Sequence, residues 1–97
     1  MSNSARTYLV AYDISEDDIR SQVSSVLQTY GDRVQYSVFL IDTKPAKMIR
    51  IRRALVDTID PRCDSVMICE LGDSDASESH LTWVGKRRVR SRGPYIL

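Results

Sequence analysis

Apolar and polar positions along this chain switch between two periods, and the switches mark out its elements. Thr7 to Ile14 reads TYLVAYDI, an aromatic and β-branched run of the kind that forms a buried strand. Ser15 ends that run and, with Asp18 three residues on, makes an acidic variant of the helix capping box. Glu16 and Asp17 add negative charge at the helix's positive end. Ile19, Val23, Val26, Leu27 and Tyr30 then recur at helical spacing, and Gly31 predicts a C-terminal cap with positive φ. Arg33 to Asp42 is extended, with Val34, Tyr36, Val38 and Leu40 on one face. Lys44-Pro45 closes it, since proline cannot extend a ladder and suits the first turn of a helix. The second helix is predicted over Ala46 to Ile59. It buries Met48, Ile51, Leu55 and Ile59, while Lys47, Arg50 and Arg53 line the opposite side and Arg52 falls nearer the apolar stripe. Asp60-Pro61 is a break, Asp64 to Leu71 a further strand, Gly72 to Ser79 a polar loop, and Leu81 to Val84 a short apolar segment read as an edge strand.

Strand, helix, extended stretch, helix, strand fits an α+β ferredoxin-like βαββαβ sandwich, provided residues 33 to 43 supply two strands. That stretch allows either one long, bent strand or two short ones joined around Gln35 to Ser37, and periodicity does not choose between them. Length allows a single domain over residues 1–97. Within it, residues 86–97 read as a basic linker and an extra C-terminal strand. Behind Gly93-Pro94 that strand ends in the apolar Tyr95-Ile96-Leu97, which predicts docking on a second subunit and hence a homodimer. A composition 42% hydrophobic and 28% charged argues for a folded domain. The absence of a spanning apolar run or a signal-peptide core leads to the expectation of a cytoplasmic protein without membrane contact. Cys63 and Cys69 lack zinc-type spacing and are expected to be reduced, buried thiols.

Charge changes this picture through its distribution rather than its sum of +1. Lys44, Lys47, Arg50, Arg52 and Arg53 run without an intervening acid, as do Lys86, Arg87, Arg88, Arg90 and Arg92. Acids gather at Asp13 to Asp18 and at Glu70 to Glu78. A polyanion-binding surface with a separate acidic site needs such segregation; two solvated faces that balance are the plainer alternative. The chain has no phosphate-binding glycine loop, no histidine pair and no Ser-His-Asp set, and its one histidine, His80, reads as solvated. Asp13 ends an apolar strand just before a helix, where ligand sites of α/β folds collect, and a carboxylate there could hold a divalent ion. One carboxylate per chain is a poor magnesium site, which a dimer joining two Asp13 residues would repair; alternatively Asp13 merely begins the turn. Arg20 and Arg33 suit bidentate phosphate contact, with Arg20 turned toward the strand end bearing Asp13. A surface salt bridge to Glu16 or Asp17 is the alternative for Arg20. Phe39 reads as core, with base stacking the second option.

Tyr12-Asp13-Ile14, then Arg20, Tyr30-Gly31 and Arg33-Val34-Gln35-x-Ser37-Val38-Phe39 resemble, in order and spacing, the CRISPR-associated protein 2 family. The resemblance covers the first forty residues well, and Asp64 to Leu71 fits the family's later strand. It implies a ferredoxin-like homodimer whose C-terminal strands cross to the partner's sheet. It also implies a role in acquiring new spacers, in complex with the integrase CRISPR-associated protein 1. Several members are described as magnesium-dependent endonucleases on RNA or duplex DNA. Carried over by position, Tyr12, Asp13, Arg20, Arg33, Ser37 and Phe39 are the candidate catalytic residues. Asp13 from both subunits is the implied ligand of Mg2+ or Mn2+. Lys47, Arg50, Arg53, Lys86, Arg87, Arg88, Arg90 and Arg92 are the candidate nucleic-acid contacts. Gln22 and Leu40 depart from the family, where many members carry a basic residue and a glutamate; both departures bear on nuclease activity more than on fold. A stand-alone ribonuclease toxin of related fold is the competing reading, which the neighbouring genes would separate. A small-molecule regulatory module is a third, and it has no use for two basic runs.

Overall fold

A computed structural model describes residues 4–86. In chain order these form β1 (Arg6–Asp13), α1 (Asp17–Tyr30), β2 (Asp32–Gln35), β3 (Val38–Thr43), α2 (Pro45–Thr58) and β4 (Ser65–Asp73), followed by a 3-10 helix, Ser74–His80. The sheet runs β2-β3-β1-β4, and each pairing is antiparallel. Both helices pack on one face, giving the ferredoxin-like βαββαβ sandwich. Residues 33 to 43 make two strands, not one: Tyr36 and Ser37 form the turn of a β2–β3 hairpin that sets Gln35 opposite Val38.

Alternation along the strands assigns the two faces of the sheet. Tyr8, Val10 and Tyr12 of β1 and Phe39 and Ile41 of β3 meet Val23 and Leu27 of α1 and Met48, Ile51 and Leu55 of α2 in one buried core. Val34, Val38 and Leu40 do share a face, but it is the face away from the helices, where they line a hollow of about 370 Å3 with Leu9, Ala11 and Met67. Tyr36 does not belong to that row, because the turn removes it from the strand. Leu81 to Val84 is not an edge strand; it is extended without a ladder partner and lines the same hollow, so it is turned onto the open face of the sheet.

Further expectations are corrected. Glu16, not Ser15, precedes the first helical residue, and no side chain caps that end of α1. Gly31 has φ −158°, so its role is not a left-handed cap. A Cβ there would lie 2.3 Å from the Leu40 carbonyl oxygen and 2.7 Å from Ile41 Cγ1. Glycine is needed because α1 runs into the hairpin at backbone contact. Cys63 and Cys69 are exposed. Cys63 sits in the turn before β4, and Cys69 lies on the strand face opposite Val66 and Ile68, which pack on the core. Arg87, Arg88, Arg90, Arg92 and the expected strand at Tyr95-Ile96-Leu97 lie outside the described residues. Among the described residues no helix is long and apolar enough to cross a membrane.

Candidate nucleic-acid interface and acidic site

The predicted site residues divide between the two faces of the sheet. Tyr12 is the last inward residue of β1, and its ring stacks on Phe39 with centroids 6.3 Å apart and planes inclined by 27°. Phe39 is fully buried, so its candidate role is core and support rather than direct stacking on a base. Arg33, on the neighbouring strand, lies over the Phe39 ring at 5.3 Å and donates to Ser24 Oγ at 2.6 Å. Ser37 contributes backbone: its carbonyl accepts the Tyr12 N–H at 3.1 Å, extending the β1–β3 pairing past Ala11. Tyr12, Arg20 and Arg33 thus border one groove between α1 and the hairpin, of about 520 Å3.

Arg20 does not reach toward Asp13. Its guanidinium donates to the carbonyls of Ile14, at 2.9 Å, and Ser15, at 3.2 Å, and pairs with the Asp17 carboxylate. That hydrogen-bonded carboxylate holds the guanidinium above its ordinary pKa, against a smaller opposing effect of burial. Through these bonds Arg20 ties down the loop that follows Asp13. Arg33 is the cation left exposed to solvent in the groove.

Asp13 follows Leu9 and Ala11 in the alternation and is exposed on the face away from the helices, opposite Ser65 of β4. Among the described residues no three His, Cys, Asp or Glu side chains are grouped to hold a metal ion. Asp13 is thus not joined by two further such side chains among the described residues, and Mg2+, which keeps several waters, is usually held by only one or two carboxylates.

The basic candidates within the described residues are exposed. Lys47, Arg50 and Arg53 follow one another at three-residue spacing along α2, and Lys86 closes the described chain. Lys47 Nζ also lies 5.4 Å over the ring of Tyr30, which fixes it at the α1 end of the ridge. Sequence reasoning missed two participants. Ser24 holds Arg33, and Tyr36 stands at the hairpin tip, 72% exposed. The signal for the first was present: Ser21, Ser24, Ser25 and Gln28 are a polar stripe at helical spacing, and all four line the groove.

The model of the family described as CRISPR associated protein Cas2 matches residues 6–79. The CRISPR-associated endoribonuclease Cas2 3 of Rhodospirillum rubrum is 35% identical over 95 residues, covering 92% of this chain and 98% of that one. The CRISPR-associated endoribonuclease Cas2 of Chlorobaculum tepidum is 32% identical over 71 residues, covering 68% and 74%. Among solved structures, a hypothetical protein from Thermus thermophilus superposes with a TM-score of 0.77 at 27% identity, over 91% of this chain and all of the other. Streptococcus pyogenes Cas2 does so at 0.72 and 28% identity, over 81% and 99%. With the motif residues of β1, α1 and the hairpin in the places this fold requires, the chain belongs to the CRISPR-associated protein Cas2 family.

Proposed function

We propose that this protein is a CRISPR adaptation subunit: as a homodimer, and in complex with the integrase CRISPR-associated protein 1, it binds duplex DNA destined to become a spacer. The observation that carries the reading is the ridge of Lys47, Arg50 and Arg53 on the exposed side of α2. Among the described residues none of the three has an acidic partner within ion-pair distance. A ridge of unpaired cations on a rigid helix suits the regularly spaced phosphates of a duplex and carries no sequence information, which fits a subunit that must accept any spacer. Met67, 58% exposed on the apolar sheet face, supports the dimer.

A second reading, metal-dependent endonuclease activity on RNA or DNA, is favoured by the position of Asp13 and by the name endoribonuclease carried by the relatives. Two Asp13 carboxylates, one from each protomer, would hold Mg2+ or Mn2+. Bound there, the ion would supply an acidified water and shield phosphodiester charge. The chain's own part is to present the carboxylate rigidly, through the β1–β4 ladder on one side and the Arg20-tied loop on the other.

Fluorescence anisotropy with blunt duplex DNA at several salt concentrations tests the first reading. Arg50→Ala with Arg53→Ala should flatten the slope of log affinity against log salt by about 0.9 unit per lost phosphate contact, and equally for unrelated sequences. Unchanged affinity and slope in the double variant, with the integrase present, would remove the duplex from this face.

A further inference from the structure

A separate groove opens between α2 and β4, along the edge of the sheet farthest from the hairpin. The inner row of α2, Met48, Ile51 and Leu55, is buried, and the next row round the helix brings Ile49 and Arg52 to the groove wall. Val66 and Ile68 of β4 pack only partly against the core and make the floor with Tyr8 of β1. Ile49 is left 69% exposed, and the volume of about 560 Å3 is in the range of small-ligand sites. The polar groups among these side chains are the Arg52 guanidinium and the Tyr8 hydroxyl. Three and four residues to either side of Arg52 stand Met48, Ile49, Leu55 and Val56, so no acid of its own helix reaches it. No ion pair among the described residues includes it. Glu70, the acid nearest in charge to Tyr8, is already paired with Arg6. Burial, reinforced by Glu70 and opposed by Arg6, holds the Tyr8 hydroxyl above its ordinary pKa, so at neutral pH it is a donor.

An apolar floor and wall, one unneutralised cation and one neutral donor match a ligand with an apolar body and a single carboxylate. We infer that the α2–β4 groove binds a small amphiphilic carboxylic acid, its body against Ile49, Val66 and Ile68 and its carboxylate on Arg52 and Tyr8. A guanidinium fork suits a planar carboxylate, and an aliphatic surround that sheds water strengthens the pairing. Nucleic acid is a poor match for the same lining. Its bases find no exposed aromatic ring there, since Tyr8 is buried, and its phosphates gain nothing from the aliphatic wall. The groove lies on the helix-bearing side of the sheet, whereas Asp13 is on the opposite side. Arg52 is also outside the Lys47, Arg50 and Arg53 row, so the inference does not depend on the duplex-binding reading.

The test follows the full chain by 1H–15N correlation spectra during titration with 4-phenylbutyrate and, in parallel, with its uncharged counterpart 4-phenylbutyramide. The acid should shift the amides of residues 48–52 and 66–68 saturably. It should bind about tenfold more tightly than the amide, the effect of a charge-assisted hydrogen bond. Arg52→Gln should remove that preference and leave the affinity for 4-phenylbutyramide unchanged; the side chain is exposed, so the fold tolerates the change. Tyr8→Phe should weaken the acid alone, by a smaller factor, and Ile49→Ser should weaken both probes. Three results would overturn the proposal: no saturable shift in the groove, equal affinity for acid and amide in the wild-type protein, or a preference for the acid that survives Arg52→Gln. The second is what an arginine that only lays its stem along the apolar wall would give.

Discussion

Gly31 shows how little freedom the chain has where its two motif-bearing pieces meet. Its N–H closes α1 on the Leu27 carbonyl at 2.9 Å, and one residue later β2 begins. The space a side chain would need is taken by the backbone of β3, with the Leu40 oxygen 2.3 Å from an ideal Cβ. A backbone carbonyl already held in a ladder cannot swing aside as a flexible side chain can. Gly31→Ala should therefore destabilise the fold by about 1–3 kcal/mol, the usual range for overpacking, read as a lower urea midpoint at constant m. A midpoint within error of wild type would mean that α1 and the hairpin can part freely. Because the same junction sets Ser24 against Arg33, loss of packing here should also loosen the groove.

Elements differ in how far their sequence announces them. Both helices and the β1–α1 unit were legible, because Val23, Leu27, Met48, Ile51 and Leu55 repeat at helical spacing and are the buried residues of their helices. The hairpin was half legible. Val34, Val38 and Leu40 predict a common face, but a two-residue turn at Tyr36-Ser37 has no glycine or asparagine to declare it. Of the site, Asp13, Arg20 and Arg33 were visible as residues. Their division between opposite sides of the sheet was not, since it depends on strand parity and on the fold of the hairpin. The polar loop after β4 was the least legible: it is a 3-10 helix, and Ser77 within it is fully buried. A long-range knot holds it. The buried Thr7 hydroxyl donates to Asp42, and Ser74 Oγ lies 3.1 Å from Thr7 Oγ1 and 3.4 Å from the Asp42 oxygen. These three residues come from β1, β3 and the 3-10 helix, which no local pattern connects. Thr7→Val keeps the shape and removes the donor, so it should cost about 1–3 kcal/mol. Amide exchange over residues 74–80 should quicken, and equal exchange there would show that the knot does not hold the segment.

At the scale of the whole molecule, the sheet face away from the helices is covered in part among the described residues, where Val34 and Leu40 are buried. Met67 is 58% exposed and Val84 94%. The Trp83 indole N–H is buried without an acceptor among the described residues, a state that ordinarily carries a penalty of about 1–3 kcal/mol. Asp13 stands on the same face, at the end of β1. A second copy packed on this face would cover the apolar side chains, could offer Trp83 an acceptor, and would bring a second carboxylate toward the first. On the proposed reading dimerisation and metal binding are coupled, and two substitutions test them separately. Met67→Glu adds a charge where an apolar interface is proposed, at a position exposed enough to be tolerated by the protomer. It should shift the protein to monomer in light scattering and abolish Mn2+ binding followed by electron paramagnetic resonance. Asp13→Asn should leave the dimer intact, lose the Mn2+ signal, and lose any magnesium-dependent cleavage. Duplex affinity in Asp13→Asn should hold or rise slightly, because the change removes negative charge from the protein. A Met67→Glu monomer that still binds Mn2+ with wild-type affinity would place the ion elsewhere than between two Asp13 residues, and a Met67→Glu dimer would place the partner on another surface.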